Sequence, residues 1–310
     1  MERRYTRESF KIGIVCALAI EIAAVDALLD EKLPPLERLP RDDTIYTFGR
    51  IGKHYVVMSC LPIAKTGVIS AASVASDMRR SFPIEFGLMV GIGGGVPGGK
   101  ADVRLGDVVV SQPTKEHGGI IPYNYAGLDL YSFSDRNRSV YKPSRTLLDA
   151  LHNLQRRHQT MGDALPETLG LIGRNRPQMA VEYRHPGPNR DHVFVAGYQH
   201  RGNAEDCRAC DPTKRIPQKS RSSMRPKIHY GNIASGNMVM KDGPTRDKIA
   251  RQAGILCFEM EAAGFVYSFP CLAIRGICDY ADSHKNNHWQ RYAAAVAAAY
   301  ARELLAVFST

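Results

Sequence analysis

Residues 10–18, "FKIGIVCAL", form an apolar run of strand length, and residues 19–33, "AIEIAAVDALLDEKL", switch at once to the spacing of a helix. Ile22, Val25, Leu28 and Leu29 recur at three and four residues, which lines one face of a helix and no face of a strand. A strand that feeds directly into a helix is the first half of an α/β unit. The pattern then repeats. Residues 45–60, "IYTFGRIGKHYVVMSC", read as a strand hairpin and residues 67–82, "GVISAASVASDMRRSF", as a helix. Further strands fit "FGLMVG" (86–91), "GDVVVS" (106–111), "KIHYGNIAS" (227–235), "GILCFEM" (254–260) and "PCLAIRGI" (270–277). In the last helix, Trp289, Tyr292, Ala293, Val296, Tyr300, Leu304 and Phe308 fall at spacings of three and four. Strands alternating with helices predict an α/β architecture whose sheet is largely parallel and covered on both faces.

One domain spanning residues 1–310 is expected, because the alternation resumes after an odd middle section at about 162–226. That section is rich in Pro, Gly, Arg and Asn, lacks periodicity, and reads as an irregular insertion. With 44% hydrophobic and 23% charged residues the chain has the make-up of a globular protein. The net charge of +10 points to an anionic partner without naming one, and much of the excess is local. The run from Lys214 to Lys227 carries six cations but no interleaved aromatic residue, which argues against a nucleic-acid stacking platform. It reads as a solvated loop, with a phosphate or partner contact as the alternative. Seven cysteines sit mostly in apolar runs, as reduced, buried thiols do, and a cytoplasmic location is expected. The apolar run Ile12–Ile20 is too short to span a membrane and has no cleavage-like site, so neither a signal peptide nor a membrane partner is expected.

Two motifs mislead. Residues 91–101, "GIGGGVPGGKA", contain GxGxxG at Gly93, Gly95 and Gly98 and a near-Walker GxxxxGK at Gly94, Gly99 and Lys100. Both require a helix N-terminus immediately afterwards to hold a phosphate. Here the chain runs on through "ADVRLGD" into a strand, and Ala101 stands where the P-loop needs Ser or Thr. A glycine-lined strand end that lets backbone approach a ligand fits better. The second is "CRACD", a single CxxC at Cys207 and Cys210. Structural zinc takes four ligands, and only His185, His192 and His200 lie nearby at irregular spacing. Two unligated thiols in a loop are the simpler reading, and no metal is expected.

The chemistry-bearing positions are acids at the ends of apolar strands. Glu21 follows the first; Glu259 and Glu261 close "CFEMEAAG" (257–264); Asp279 follows "CLAIRGI". Ligands of a parallel sheet bind at the carboxyl ends of its strands. Two glutamates two residues apart in an apolar run cost free energy unless something pairs with them. Each acid alone could merely cap the helix that follows; the group of them points to a site.

Six ordered motifs, "KIGIVCALAIE", "VGIGGG", "RLGDVVVS", "IASGNMVMKDG", "CFEMEAAG" and "AIRGICDYAD", resemble those of the nucleoside phosphorylase and nucleosidase superfamily. By motif the chain is similar to the methylthioadenosine/S-adenosylhomocysteine nucleosidases, and it looks still more like a fungal branch often fused to regulatory or repeat domains. The resemblance covers about residues 10–308, apart from much of 162–226. It implies a three-layer α/β/α sandwich around a mixed, twisted sheet. It also implies hydrolysis of the N-glycosidic bond of an adenosine-like purine nucleoside, with no cofactor, by a homodimer. On this resemblance Glu21 activates the attacking water, and Asp279 protonates or hydrogen-bonds purine N7. Met260 packs against the ribose, Glu261 holds its 2′- and 3′-hydroxyls, and Glu259 adjoins it. Val239 lies in the base-binding segment, while Ile92, Gly93 and Cys278 line the substrate. Cys278 replaces the family's usual Ser, and Ile92 replaces a polar residue of the bacterial nucleosidases.

The chemistry agrees with those residue types. A ribosyl C–N bond breaks through an oxocarbenium-like transition state with a poor leaving group, so an acid kept protonated near N7 by a raised pKa is expected of Asp279. Two alternatives stay open: a phosphorylase, with Arg104 in "DVRLGD" as a possible phosphate contact, and a nucleoside- or nucleotide-sensing signalling module.

Overall fold

The first strand, β1 (Ile12–Cys16), is buried at every position, and α1 (Ala19–Asp26) follows after two residues. The computed structural model describes residues 5–99, 101–124, 129–130, 143–202 and 206–308; Lys100 of the near-Walker motif lies outside them. Strands β2 (Glu31–Leu33), β3 (Tyr46–Ile51) and β4 (His54–Cys60) precede helix α2 (Val68–Ser81). Then come β5 (Phe86–Gly95), β6 (Val108–Ser111), β7 (Ile120–Asn124) and β8 (Asp129–Leu130), followed by helices α3 (Arg145–Met161) and α4 (Leu165–Asn175). The remainder is β9 (Val193–Phe194), β10 (Arg215–Ile216), β11 (Ile228–Ser235), α5 (Gly243–Ala253), β12 (Ile255–Glu259), α6 (Ala262–Phe265), β13 (Cys271–Asp279) and α7 (Gln290–Val307).

The main sheet runs β2-β3-β4-β1-β5-β13-β6-β11-β7-β8. It is mixed: β1 is parallel to β4 and β5, and β5 to β13, whereas β13 is antiparallel to β6. Strand β12 lies off this path, parallel to β11 and antiparallel to β5. The five strands β5, β13, β6, β11 and β12 therefore close a circuit, which brings the ends of β5, β12 and β13 together.

Helices cover both faces. A Cβ on Gly276 of β13 would collide with the Ala293 carbonyl of α7, so that helix packs directly onto the backbone. Gly87 of the adjacent β5 instead faces the rings of Phe265 and Phe269 beyond α6. Gly276 pairs with Ile92, whose parity along β5 is opposite to that of Gly87. Thus α7 and α6 lie on opposite faces, α1, α3 and α4 pack with α7, and α2 packs with α6. This is the three-layer sandwich that the sequence predicts. Helix α7 is apolar nearly all round, as a helix packed between a sheet and other helices must be.

Three local differences stand out. The strand read over 86–91 runs on through the glycine-lined end to Gly95. Helix α3 carries buried Leu147, Ala150, Leu151 and Leu154 at helical spacing, capped by Ser144 Oγ accepting from Leu147 N. The section 162–226, read as irregular, contains α4 and the β9–β10 hairpin. It is held by Leu165, Ile172, Tyr183 and Val193 in the core, and by polar tethers: Asn175 Nδ2 to the Ala27 carbonyl, Tyr183 Oη to the Ile20 carbonyl, and a two-pronged pair of Arg221 with Asp107. The polar tethers leave no periodic trace in a sequence. Among the described residues no helix is long and apolar enough to cross a membrane.

Candidate active site

Glu21 is the third residue of α1, and its carboxylate folds back to cap the helix. Oε2 accepts from Ala17 N (2.7 Å) and Leu18 N (2.8 Å), and Oε1 accepts from Ile92 N on β5 (2.8 Å). The capping reading is thus correct, and so is the functional one, since the same side chain lines a cavity. Three of a carboxylate's roughly four acceptor positions are filled, which leaves room for one more donor. Burial pushes its pKa up, against the pull of the Arg275 guanidinium and of the three amides.

What pairs with the glutamates of "CFEMEAAG" is Arg275. This residue sits in the middle of β13, fully buried, on the strand position paired with Gly91. Its Nη2 donates to Glu259 Oε2 in a short contact and lies 3.5 Å from Glu261 Oε2. Glu259 also accepts from Glu261 N (3.1 Å) and Ala262 N (3.0 Å), so its carboxylate is committed to the protein. This differs from the expectation that Glu259 serves the substrate directly. It caps the turn after β12 and anchors Arg275, although it borders the cavity.

Glu261 is freer. It accepts from Gly67 N and Met260 N, both at 3.3 Å, leaving lone pairs on each oxygen. Burial, helped by Glu259 and Glu21 and opposed by Arg275, raises its pKa to about 7.

Asp279 closes β13. Its Oδ2 accepts from Lys285 Nζ (2.7 Å) and the Cys278 thiol (3.1 Å), and its Oδ1 from Ala281 N (2.9 Å). The sequence predicts a pKa raised by a dry pocket. Burial does push it up, but Lys285 and the hydrogen bonds outweigh it, and the net shift is downward. Lys285 is correspondingly raised, its pairing with Asp279 outweighing burial. The pairing with Lys285 therefore favours the carboxylate form of Asp279.

These groups share one cavity of about 250 Å³. Every predicted position lines it: Glu21, Ile92, Gly93, Val239, Glu259, Met260, Glu261, Cys278 and Asp279. Thr66, Tyr123, Met238, Phe258 and Lys285 line it as well and were not singled out by sequence reasoning. The walls near the base-binding segment are apolar, with the acids at the strand ends. A larger cavity of about 600 Å³ lies elsewhere, bordered by Arg104, Arg215, Arg221 and Trp289 and by none of the four acids. Arg104 belongs there, bonded to Asp102, so the suggested phosphate contact is not at this site.

Arg275 could have been found. A lone arginine inside the uniformly buried run "CLAIRGICD" needs counter-charges, and the two unexplained glutamates supply them. Lys285 gives no such signal, because "DSHKNN" reads as a solvated loop.

The profile of the Phosphorylase superfamily matches residues 175–309. A nucleotide-binding leucine-rich repeat (NLR)-like protein of Hyaloscypha variabilis is 41% identical over 304 residues, covering 97% of this chain. This chain spans only 30% of that relative's length. The 5′-methylthioadenosine/S-adenosylhomocysteine nucleosidase of Mycobacterium bovis is 21% identical, over 95% of each chain. Among solved structures, futalosine hydrolase of Helicobacter pylori superposes with a TM-score of 0.60 at 14% identity, covering 96% of this chain and 98% of its own. The methylthioadenosine/S-adenosylhomocysteine nucleosidase of the same organism superposes at 0.58 and 15%, covering 96% and 99%. Residues 175–309 thus match the Phosphorylase superfamily, and the chain as a whole has the fold of these nucleosidase structures.

Proposed function

We propose that the chain hydrolyses the N-glycosidic bond of an adenosine-like purine nucleoside, releasing free base and ribose. The observation that carries this reading is that Glu21, Glu261 and Asp279 face one cavity large enough for a nucleoside, with apolar walls between them. Such a bond lengthens through a sugar cation and a purine anion, so charge must be met at both ends. Glu21 is the base for water: its raised pKa moves it towards the operating pH, and it keeps an acceptor position free. Glu261 accepts the sugar hydroxyls, with Met260 beside it. The purine lies between Ile92, Phe258 and Val239, with N7 towards Asp279.

Because pairing with Lys285 favours ionised Asp279, the proton for N7 comes from the Asp279–Lys285 pair. As N7 gains negative charge it draws a proton through the carboxylate, and Lys285, 2.7 Å away, is the group that supplies it. Cys278 donates to the same oxygen and keeps Asp279 oriented.

Hydrolysis is favoured over phosphorolysis by the charge of the cavity. Among the described lining residues Lys285 is the one Lys or Arg, it is already paired, and three glutamates stand nearby. A phosphate dianion would meet net negative charge. The reading includes a homodimer in the cytoplasm, for which the exposed Ile45, Ile63 and Ile69 offer apolar surface. The 41% identity to an NLR-like protein supports a second reading, that the activity serves signalling. Product analysis with and without inorganic phosphate tests the first: free ribose in both cases is expected, and ribose 1-phosphate formed only with phosphate would refute hydrolysis.

A further inference from the structure

Segment 198–212, which the glycosidic chemistry does not use, carries "CRACD". The ligand atoms of His200, Cys207 and Cys210 all lie within 4.8 Å of one another, and both cysteines are free thiols. Ligand atoms around a tetrahedral zinc sit about 3.5–4 Å apart, given bonds of about 2.0–2.3 Å. Three ligands are thus gathered, and His185, His192 and His284 are not among them. His185 instead packs edge-on against Trp289 and Tyr292.

A second, independent observation comes from the active-site loop. His284 is 93% buried, since only 7% of it is exposed, and neither ring nitrogen has a hydrogen-bond partner. A buried imidazole without partners carries a desolvation cost, which a ligand on its ring nitrogen would offset. Its ring stacks on Phe194 (4.0 Å) and lies 5.5 Å from the ring of His200. Two imidazoles on one tetrahedral zinc place their ring centres about 5 Å apart.

We propose that His200, Cys207 and Cys210 bind a structural zinc and that His284, the buried neighbouring ring, is drawn in as the fourth ligand, which fastens the inserted segment to the loop that follows Asp279 and carries Lys285. The surroundings fit the usual outer partners of zinc-bound histidines. His200 Nε2 lies 3.2 Å from the Asp206 carbonyl, which leaves Nδ1 for the metal. His284 Nδ1 lies 3.5 Å from Asp282 Oδ1, which leaves Nε2. Two sulfurs and two imidazole nitrogens suit zinc above hard cations. On binding, the two thiols lose their protons to solvent, and the two thiolates neutralise the dication. The segment is already docked by His200 N donating to Ser283 Oγ (2.9 Å), so the metal closes a preformed joint.

The test needs no enzymatic activity. The chain, purified without chelator, is assayed for metal by mass spectrometry, and its apo form is titrated with Co²⁺. About one zinc per chain and a thiolate-to-cobalt absorption band are expected. Cys207→Ser with Cys210→Ser removes both signals, and His284→Gln weakens cobalt affinity by about tenfold or more. If those variants do not fold, the wild-type titration alone decides. No metal in the purified chain and no cobalt band would overturn the proposal, as would a Cys207–Cys210 disulfide that persists in reductant-treated protein.

Discussion

Lys285 Nζ donates to Asp279 Oδ2 across 2.7 Å, from six positions further on, in the irregular loop that follows the strand Asp279 closes. This pair sets the charge state of the base end of the cavity. Lys285→Met should leave Asp279 buried without its cation. Because the folded pKa of Asp279 is depressed, the pair's contribution is present above the unfolded value of about 3.9. It is lost as pH falls through the lower folded value. Denaturation at pH 7 should show a loss of up to about 3 kcal/mol, moderated because Lys285 keeps about a third of its exposure. The gap should shrink in acid; a gap that is independent of pH would mean the lysine acts by packing alone.

Turnover should respond separately from stability. Asp279→Asn keeps size and hydrogen bonding but cannot relay a proton, so kcat should fall far more than KM changes. Nucleosides whose base leaves readily without protonation should regain most of the rate. Equal losses on both kinds of substrate would remove Asp279 from the proton path.

Arg275 is the counter-charge on which the glutamate cluster depends. Arg275→Met should cost about 3–5 kcal/mol, because it leaves buried carboxylates uncompensated. The double variant Arg275→Met/Glu259→Gln should recover part of that loss by removing one of them. A melting temperature no higher in the double variant than in the single would contradict this pairing.

Glu261 links sugar recognition to pH. Its pKa is raised to about 7, and only the ionised form accepts from both ribose hydroxyls. Affinity for a ribonucleoside analogue should therefore rise as pH increases through about 7, while a 2′-deoxy analogue should bind more weakly and with a flatter profile. Glu261→Gln should abolish the pH dependence. Titration calorimetry from pH 5.5 to 8.5 measures all three.

The architecture was legible where burial is periodic. Strand β1, the β3–β4 hairpin, α2 and α7 follow from spacing alone; α1 does so only in its first half, since it stops at Asp26, before Leu28 and Leu29, and residues 31–33 form β2. The nine candidate site residues converge because β5, β12 and β13 end together, with Glu21 at the start of α1 and the segment of Val239 beside them. What escaped reading depends on contacts distant in sequence. The lone arginine in "CLAIRGI" does call for the glutamates of "CFEMEAAG", but nothing in "SHKNN" says that Lys285 turns back onto Asp279. The section 162–226 hid α4 and the β9–β10 pair because α4 is short, with few buried positions (Leu165, Thr168 and Ile172), and the strands are two residues each within a stretch rich in Pro, Gly and Arg. The protonation of Asp279 was misjudged because a buried strand end predicts a raised pKa until its cation is seen.

The most direct measurement is base release from a panel of purine nucleosides and nucleotides in phosphate-free buffer, for wild type and Glu21→Gln. Wild type should liberate free purine and reducing sugar in equal amounts from at least one adenosine-like substrate. Glu21→Gln should bind that substrate but turn it over about 10²–10⁴-fold more slowly, as loss of a general base does. Binding without base release by wild type, or undiminished turnover by Glu21→Gln, would contradict the account.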